Sequence, residues 1–403
     1  MPAATGAQTR APLTVAEAER LAVTGEPGQA VLDARADAIA AEANVVASLP
    51  DPVLRVGLNN YPFESGGFST EGMTHVGVGL RQAFPRGKTR ALRREQLEWQ
   101  SSAVRGQADA RQRDVTEATR IAWLDLFYWR HAHTLVSESR PFFADLVTIT
   151  RSLYSVGRRS QQDVLRAELE LSRLDDRLID IERERESARA RLAQWVGDAA
   201  IRPLPPGLPA WTEMPDIEEF EMSISSHPLL ASANAGIEAS RAAVDVADQR
   251  AKPGWSLDVG YSYREGQLPS GQPRSDFVSV GVTVDLPFFR KSAVDDTLTS
   301  ALRNASAAES ERERLLRGLR REIQIEHTRW HDLSRRLDLY EDRLLGQARA
   351  HARASLDAYQ SDTADFADVM RAYIDDLDAR VDHLRLKVER AQTWAVLANL
   401  GGF

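Results

Sequence analysis

The chain repeats itself, and that constrains its fold more than any other feature. "LYSVGRRSQQDVL" (Leu153 to Leu165) returns as "AYQSDTADFADVM" (Ala358 to Met370). Tyr154, Gly157, Ser160 and Asp163-Val164 stand over Tyr359, Asp362, Asp365 and Asp368-Val369 at one spacing of 205 residues. "EPGQAVLDARADAIAAEANV" (Glu26 to Val45) likewise matches "HPLLASANAGIEASRAAVDV" (His227 to Val246), with Pro27 over Pro228. "HVGVGLRQAFPRGK" (His75 to Lys88) matches "SVGVTVDLPFFRK" (Ser279 to Lys291), with Gly77 over Gly281. Whatever one half folds into, the other must build again. Each half reads as a helix, two strands and a long helical hairpin, over residues 13–197 and 216–400. The Pro-rich stretch 198–215 between them cannot continue a helix.

Four segments alternate strictly: "LRVGLNN", "HVGVGLRQ", "WSLDVGYSYR" and "FVSVGVTVDLPF". Val76, Val78 and Leu80 fall on one face of the second, and Val280, Val282 and Val284 on one face of the fourth. Their length and period of two suit a transmembrane β-strand, with lipid on the apolar side and a polar lumen on the other. A half-buried soluble sheet gives the same alternation. Tyr61, Phe63, Trp255, Phe277, Phe288 and Phe289 cluster near the strand ends, as an interfacial girdle would. Four strands cannot close a barrel, and lipid does not tolerate an open sheet edge, so several chains would have to pool their strands. "ESGGFSTEG" (Glu64 to Gly72) and "EGQLPSGQP" (Glu265 to Pro273) read as exposed loops joining the strand pairs.

The helical segments are long and charged. Leu319, Ile323, Trp330, Leu333, Leu337, Tyr340 and Leu344 follow alternating 3/4 spacing, with Glu326 at the one missed step. That is a heptad seam, and the charged runs between such positions read as solvated faces. A net charge of −8 argues against nucleic acid as a partner. With no cysteine there is no disulfide, thiolate ligand or thiol nucleophile. No apolar run reaches the ~18–20 residues of a membrane-spanning helix, and "MPAATGAQTRAPLTV" shows no hydrophobic core of a secretory signal. His131/His133 and His327/His331 are the close histidine pairs. "HTRWH" lacks the glutamate of a zinc-protease motif, so packing is the expected role, with no metal or other cofactor. No arrangement of residues suggests catalysis.

Duplicated halves, strand hairpins and paired polar tips together resemble the TolC-like outer-membrane efflux protein family, over nearly the whole chain. The family's tip pattern, Tyr-x-x-Gly-x-x-Ser/Thr-x-x-Asp-Val-Leu, is met throughout by "YSVGRRSQQDVL". In "YQSDTADFADVM" Asp362 replaces the Gly and Asp365 the Ser/Thr. "LPDP", "RQAFPRGK" and "VDLPFFRK" flank the strands as in the family. The resemblance implies a mainly α protein with a small β part. Its long coiled-coil hairpins would form a periplasmic α-barrel, and four transmembrane strands per chain a trimeric β-barrel in the outer membrane. It implies a homotrimer that works with a periplasmic adaptor and an inner-membrane resistance-nodulation-division pump. "PDPVLRVGLNNYPF" and "KPGWSLDVGYSYR" look most like the heavy-metal branch. The competing reading is a soluble coiled-coil scaffold whose sheets dimerise it.

By the same resemblance, Tyr154, Gly157, Arg158, Ser160, Asp163, Tyr359 and Asp362 would contact the adaptor. Asp362, Asp365 and Asp368 would line the periplasmic constriction, with Arg371 where the family often has a second acid. The residues themselves allow another reading. Ser160-x-x-Asp163 and Asp365-x-x-Asp368 look like helix N-caps with an acid at the third position. Gly157 suits a left-handed helix stop. The basic Arg158-Arg159 and the acidic second tip suggest a charge lock between them.

Overall fold

The computed structural model describes residues 11–287, 291–361 and 363–402. Phe288, Phe289 and Asp362 therefore lie outside the described residues. In order, the elements are α1 (Val15–Gly25), α2 (Pro27–Ala47), β1 (Val53–Asn59), β2 (His75–Phe84), α3 (Thr89–Ser155) and α4 (Gln161–Val196). There follow α5 (Ile217–Ser223), α6 (Pro228–Asp248), β3 (Gly254–Tyr263), β4 (Phe277–Asp285), α7 (Lys291–Leu339), α8 (Leu345–Gln360) and α9 (Phe366–Gly401). Pro27 and Pro228 open α2 and α6, where a missing N–H costs nothing because no helical acceptor faces it.

Two compact units form, and neither follows the sequence halves. One comprises Val31–Ala108 and Pro228–Leu315; the other Met1–Ala30, Asp109–His227 and Leu316–Phe403. Each unit draws segments from both halves.

The first unit carries one antiparallel sheet in the order β1-β2-β3-β4. The register places Leu80, Val259 and Val280 opposite one another, and Val78, Tyr261 and Val278 in the next row. Side chains alternate across a strand, so these rows share a face with Val76, Val282 and Val284. That face lies largely bare: Leu54, Val56, Leu80, Val259, Val280 and Val282 are all exposed. The opposite face is glycine-rich and polar. On it Arg81 Nε donates to Asp258 Oδ1 at 2.7 Å and Arg81 Nη2 to Asp258 Oδ2 at 3.2 Å. Phe84 stacks on Trp255 at 4.0 Å on the apolar face. Phe277, expected in an aromatic girdle, instead has the parity of the polar face and lies under the Arg264 guanidinium, 3.8 Å away. Phe63 projects from the β1–β2 loop almost wholly exposed. Among the described residues, β1 and β4 each have a neighbour on one side only.

In the second unit the long helices bury their seams. Leu319, Ile323, Trp330, Leu333 and Leu337 are buried, and Glu326 is buried with them at 9% exposure. Burial holds the Glu326 carboxyl above the usual range, against the pull of Arg329. The seam then breaks. Residues Tyr340–Leu344 form one π-helical turn, which shifts the phase, so Leu344 is only half-buried and the next buried positions are Ala352, Ser355 and Tyr359. A first core gathers Leu13, Trp123, Phe127 and Leu192. A second runs from Val136 and Phe143 on α3 through Leu174 on α4 to Tyr359, Phe366 and Leu377. Among the described residues no helix is long and apolar enough to cross a membrane.

Candidate functional site

Both duplicated turns lie in the second unit, and they share one equivalent backbone hydrogen bond. At the first, Gly157 adopts a left-handed φ of 73°. Arg158 N donates to Leu153 O at 2.9 Å and Gly157 N to Tyr154 O at 2.9 Å. These two bonds close α3 as a Schellman motif, which a Cβ at position 157 would strain. At the second, Thr363 N donates to Ala358 O at 2.9 Å, the counterpart of the Arg158–Leu153 bond.

The helix starts differ. Ser160 caps α4 with a full capping box: Ser160 Oγ accepts from Asp163 N at 3.3 Å, and Asp163 Oδ2 accepts from Ser160 N at 3.3 Å. Asp365 holds the N-cap backbone conformation before α9 but makes no side-chain capping bond. The cap expected there is a cap in backbone only. Asp368 instead pairs with Arg371 one turn on, at 3.5 Å, with both side chains more than half exposed. Such a pair is worth a few tenths of a kcal/mol, about 0.3–0.5.

Burial separates the tips further. Tyr154 is 48% exposed, whereas its counterpart Tyr359 is 3% exposed, beside Phe366 at 1%. Tyr359 therefore sits in packing, not on an open tip surface. The Arg159 guanidinium lies 4.4 Å from the Tyr359 ring centre, and Arg159 Nη2 donates to Tyr359 O at 3.3 Å. The first tip's basic side chain thus meets an aromatic ring of the second tip. Arg159 was legible as a charge but not as a clamp, because the aromatic partner lies 200 residues away. Val156, Leu165 and Leu169 form further exposed apolar surface beside Tyr154 and Arg158. Arg140–Asp175 and Arg151–Glu168 tie α3 to α4, and Arg177–Asp378 ties α4 to α9.

The histidines pack. His131 stacks on Phe127 at 3.9 Å, and His327 and His331 meet edge-on at 4.6 Å with Trp330 beside His331. Among the described residues no group of three or more His, Cys, Asp or Glu could hold a metal.

A sheet with one bare apolar face and, among the described residues, two open edges belongs to a chain of long paired helices that end in polar tips. Residues 220–402 match the family model described as "Outer membrane efflux protein". The outer-membrane channel OprN is 21% identical, with a TM-score of 0.80 over 96% of this chain and 90% of that one. VceC of Vibrio cholerae is 17% identical, with a TM-score of 0.80 over 96% of each chain. CusC is 13% identical, with a TM-score of 0.81 over 100% of this chain and 95% of that one. No curated protein sequence matches the chain at a significant level. The efflux family model thus covers a little under half of the chain, and the solved channels share its fold.

Proposed function

We propose that the protein is the outer-membrane duct of a tripartite efflux system. Three copies pool their sheets into one barrel, and the helical parts continue in the periplasm toward an adaptor and an inner-membrane resistance-nodulation-division pump. The observation that carries this is the sheet: its apolar face is exposed and, among the described residues, β1 and β4 each have a neighbour on one side only. Lipid covers such a face, and only other strands satisfy such edges. A soluble scaffold would leave that surface in water, which soluble proteins avoid. The match of 220–402 to the efflux family and the parallel element order support two tandem copies, 13–197 and 216–400, joined by 198–215. The duct itself is passive, and energy enters at the pump. Extraction of membranes tests the reading: the native protein should need detergent and run as a heat-sensitive trimer. A protein that stays in the aqueous fraction as a monomer or dimer rejects it.

Tip roles follow from the two burials. Tyr154, Arg158 and Val156 offer the exposed surface for the adaptor, with Gly157, Ser160 and Asp163 fixing its shape. Asp365 and Asp368 narrow the entrance, and Asp362 completes the acidic set in sequence. Arg371 offsets Asp368 and weakens cation block. Divalent-cation block of channel current should therefore be modest and should strengthen in Arg371→Ala; unchanged block in both Arg371→Ala and Asp368→Ala removes the constriction assignment. The strand segments "PDPVLRVGLNNYPF" and "KPGWSLDVGYSYR" favour heavy-metal cations as cargo, selected by the pump. Loss of the gene should lower tolerance to heavy-metal salts; lowered tolerance to organic drugs alone would reassign the cargo.

A further inference from the structure

A cavity of about 340 Å³ opens between α3, α4 and the stretch that follows α4, and four arginines line it: Arg130, Arg185, Arg189 and Arg202. No acid is among its lining residues. Arg202 is fully engaged, donating to both carboxylate oxygens of Glu17 at 2.7 and 3.0 Å and to Ala11 O at 2.9 and 2.7 Å. The other three are not. Arg189 spends one nitrogen on Glu186 at 2.7 Å. Arg185 reaches Glu182 through Nη2, while its Nε is buried without any partner. The Arg130 guanidinium is exposed and has neither a hydrogen bond nor an ion pair among the described residues. Three guanidiniums line one cavity whose lining offers no acid, and an entering anion relieves their mutual repulsion. Beneath the arginines lie Leu126 and Leu204, both buried, and Ile201 stands exposed at the rim.

We infer that this cavity is a binding site for a carboxylate carried on an apolar body. The free planar fork of Arg130 suits a two-pronged carboxylate, the other arginines add positive charge, and the leucine floor takes the hydrocarbon part. The site lies in the helical unit and is separate from the tips, so it stands whether or not the channel reading holds. The carboxylate could belong to a free organic acid or to an acidic side chain of another protein.

Calorimetric titration of the detergent-solubilised full chain with benzoate, acetate and inorganic phosphate tests it. Benzoate should bind saturably with a dissociation constant on the order of millimolar or tighter, and at least tenfold more tightly than acetate or phosphate. Arg130→Ala and Arg185→Gln should each weaken benzoate tenfold or more. Arg130→Lys, which keeps the charge and loses the fork, should fall between. Arg183→Ala, on the same helix but outside the cavity, should leave binding unchanged, and circular dichroism will show that each variant is folded. A short peptide ending in Phe-Glu that binds more tightly than benzoate would assign the carboxylate to a protein partner. No saturable benzoate binding, binding that survives Arg130→Ala, or equal loss in Arg183→Ala overturns the site.

Discussion

The two hairpin tips share an equivalent backbone hydrogen bond and differ in what holds them. The first closes itself: Gly157 takes the left-handed turn, Ser160 and Asp163 cap each other, and Tyr154 is left half exposed. The second has no side-chain cap at Asp365, and its stability comes from Tyr359 and Phe366 buried in the α3–α4–α8–α9 core. A turn that is locally satisfied can present side chains to a partner and keep its shape. A turn held by packing changes shape when the packing around it changes. The duplication thus yields one presenting tip and one coupled tip.

The largest way to break that contrast is Phe366→Ala. Removing a fully buried aromatic costs ~3–5 kcal/mol, and amide exchange should accelerate across Ala358–Met370 while Leu153–Leu165 keeps its protection. Equal acceleration at both tips would mean that they share one stabilising core.

A second duplicated pair responds to acid. Glu26 and His227 precede the prolines that open α2 and α6. Glu26 is ion-paired to Arg111 at 2.8 Å, which with backbone bonds from Gly28 and Gln29 holds its carboxyl below the ordinary value against burial. His227 is buried beside Arg113, and burial lowers it from 6.5 to about 4, with Asp114 opposing. Below pH 6.5 the unfolded chain takes up this proton and the folded chain does not, so stability falls as pH drops from 6.5 toward 4, by up to ~3 kcal/mol. The Glu26 contribution is present above the unfolded carboxylate value and is lost only as pH falls below about 4.5. His227→Gln should flatten the upper window and leave the lower one, as read by thermal unfolding across pH. A wild-type profile that is level between pH 6.5 and 5 would contradict this.

Smaller effects separate the caps. Ser160→Ala should cost ~1 kcal/mol at the first tip, whereas Asp365→Ala should cost no more than a few tenths, both read by local amide exchange. Comparable losses would show that Asp365 caps after all. Arg159→Ala removes the cation over Tyr359 and should cost about 0.5–1 kcal/mol, loosening both tips together. A change confined to the first tip would deny the clamp.

Much of this was legible because the relevant patterns are short in sequence. Period-two runs gave the strands and their shared apolar face, Gly157 the helix stop, and Ser160-x-x-Asp163 the capping box. The seam from Leu319 to Leu337 was readable too, until the π turn at Tyr340–Leu344 shifted its phase, because inserting one residue leaves no compositional mark. What sequence could not supply were contacts set by distant packing. Tyr359 and Tyr154 occupy the same motif position, yet only one is buried, and Arg159 lies over the ring of the buried one. Phe277 looked like a girdle aromatic by its place at a strand end. Register put it on the other face, under Arg264.

The most direct test of the central claim is electrical. Purified protein inserted into a planar lipid bilayer should give discrete, salt-dependent conductance steps from a trimeric pore, and Arg159→Ala should increase the open fraction. Folded, membrane-inserted protein that passes no current under any condition would contradict the account of this chain as an efflux duct.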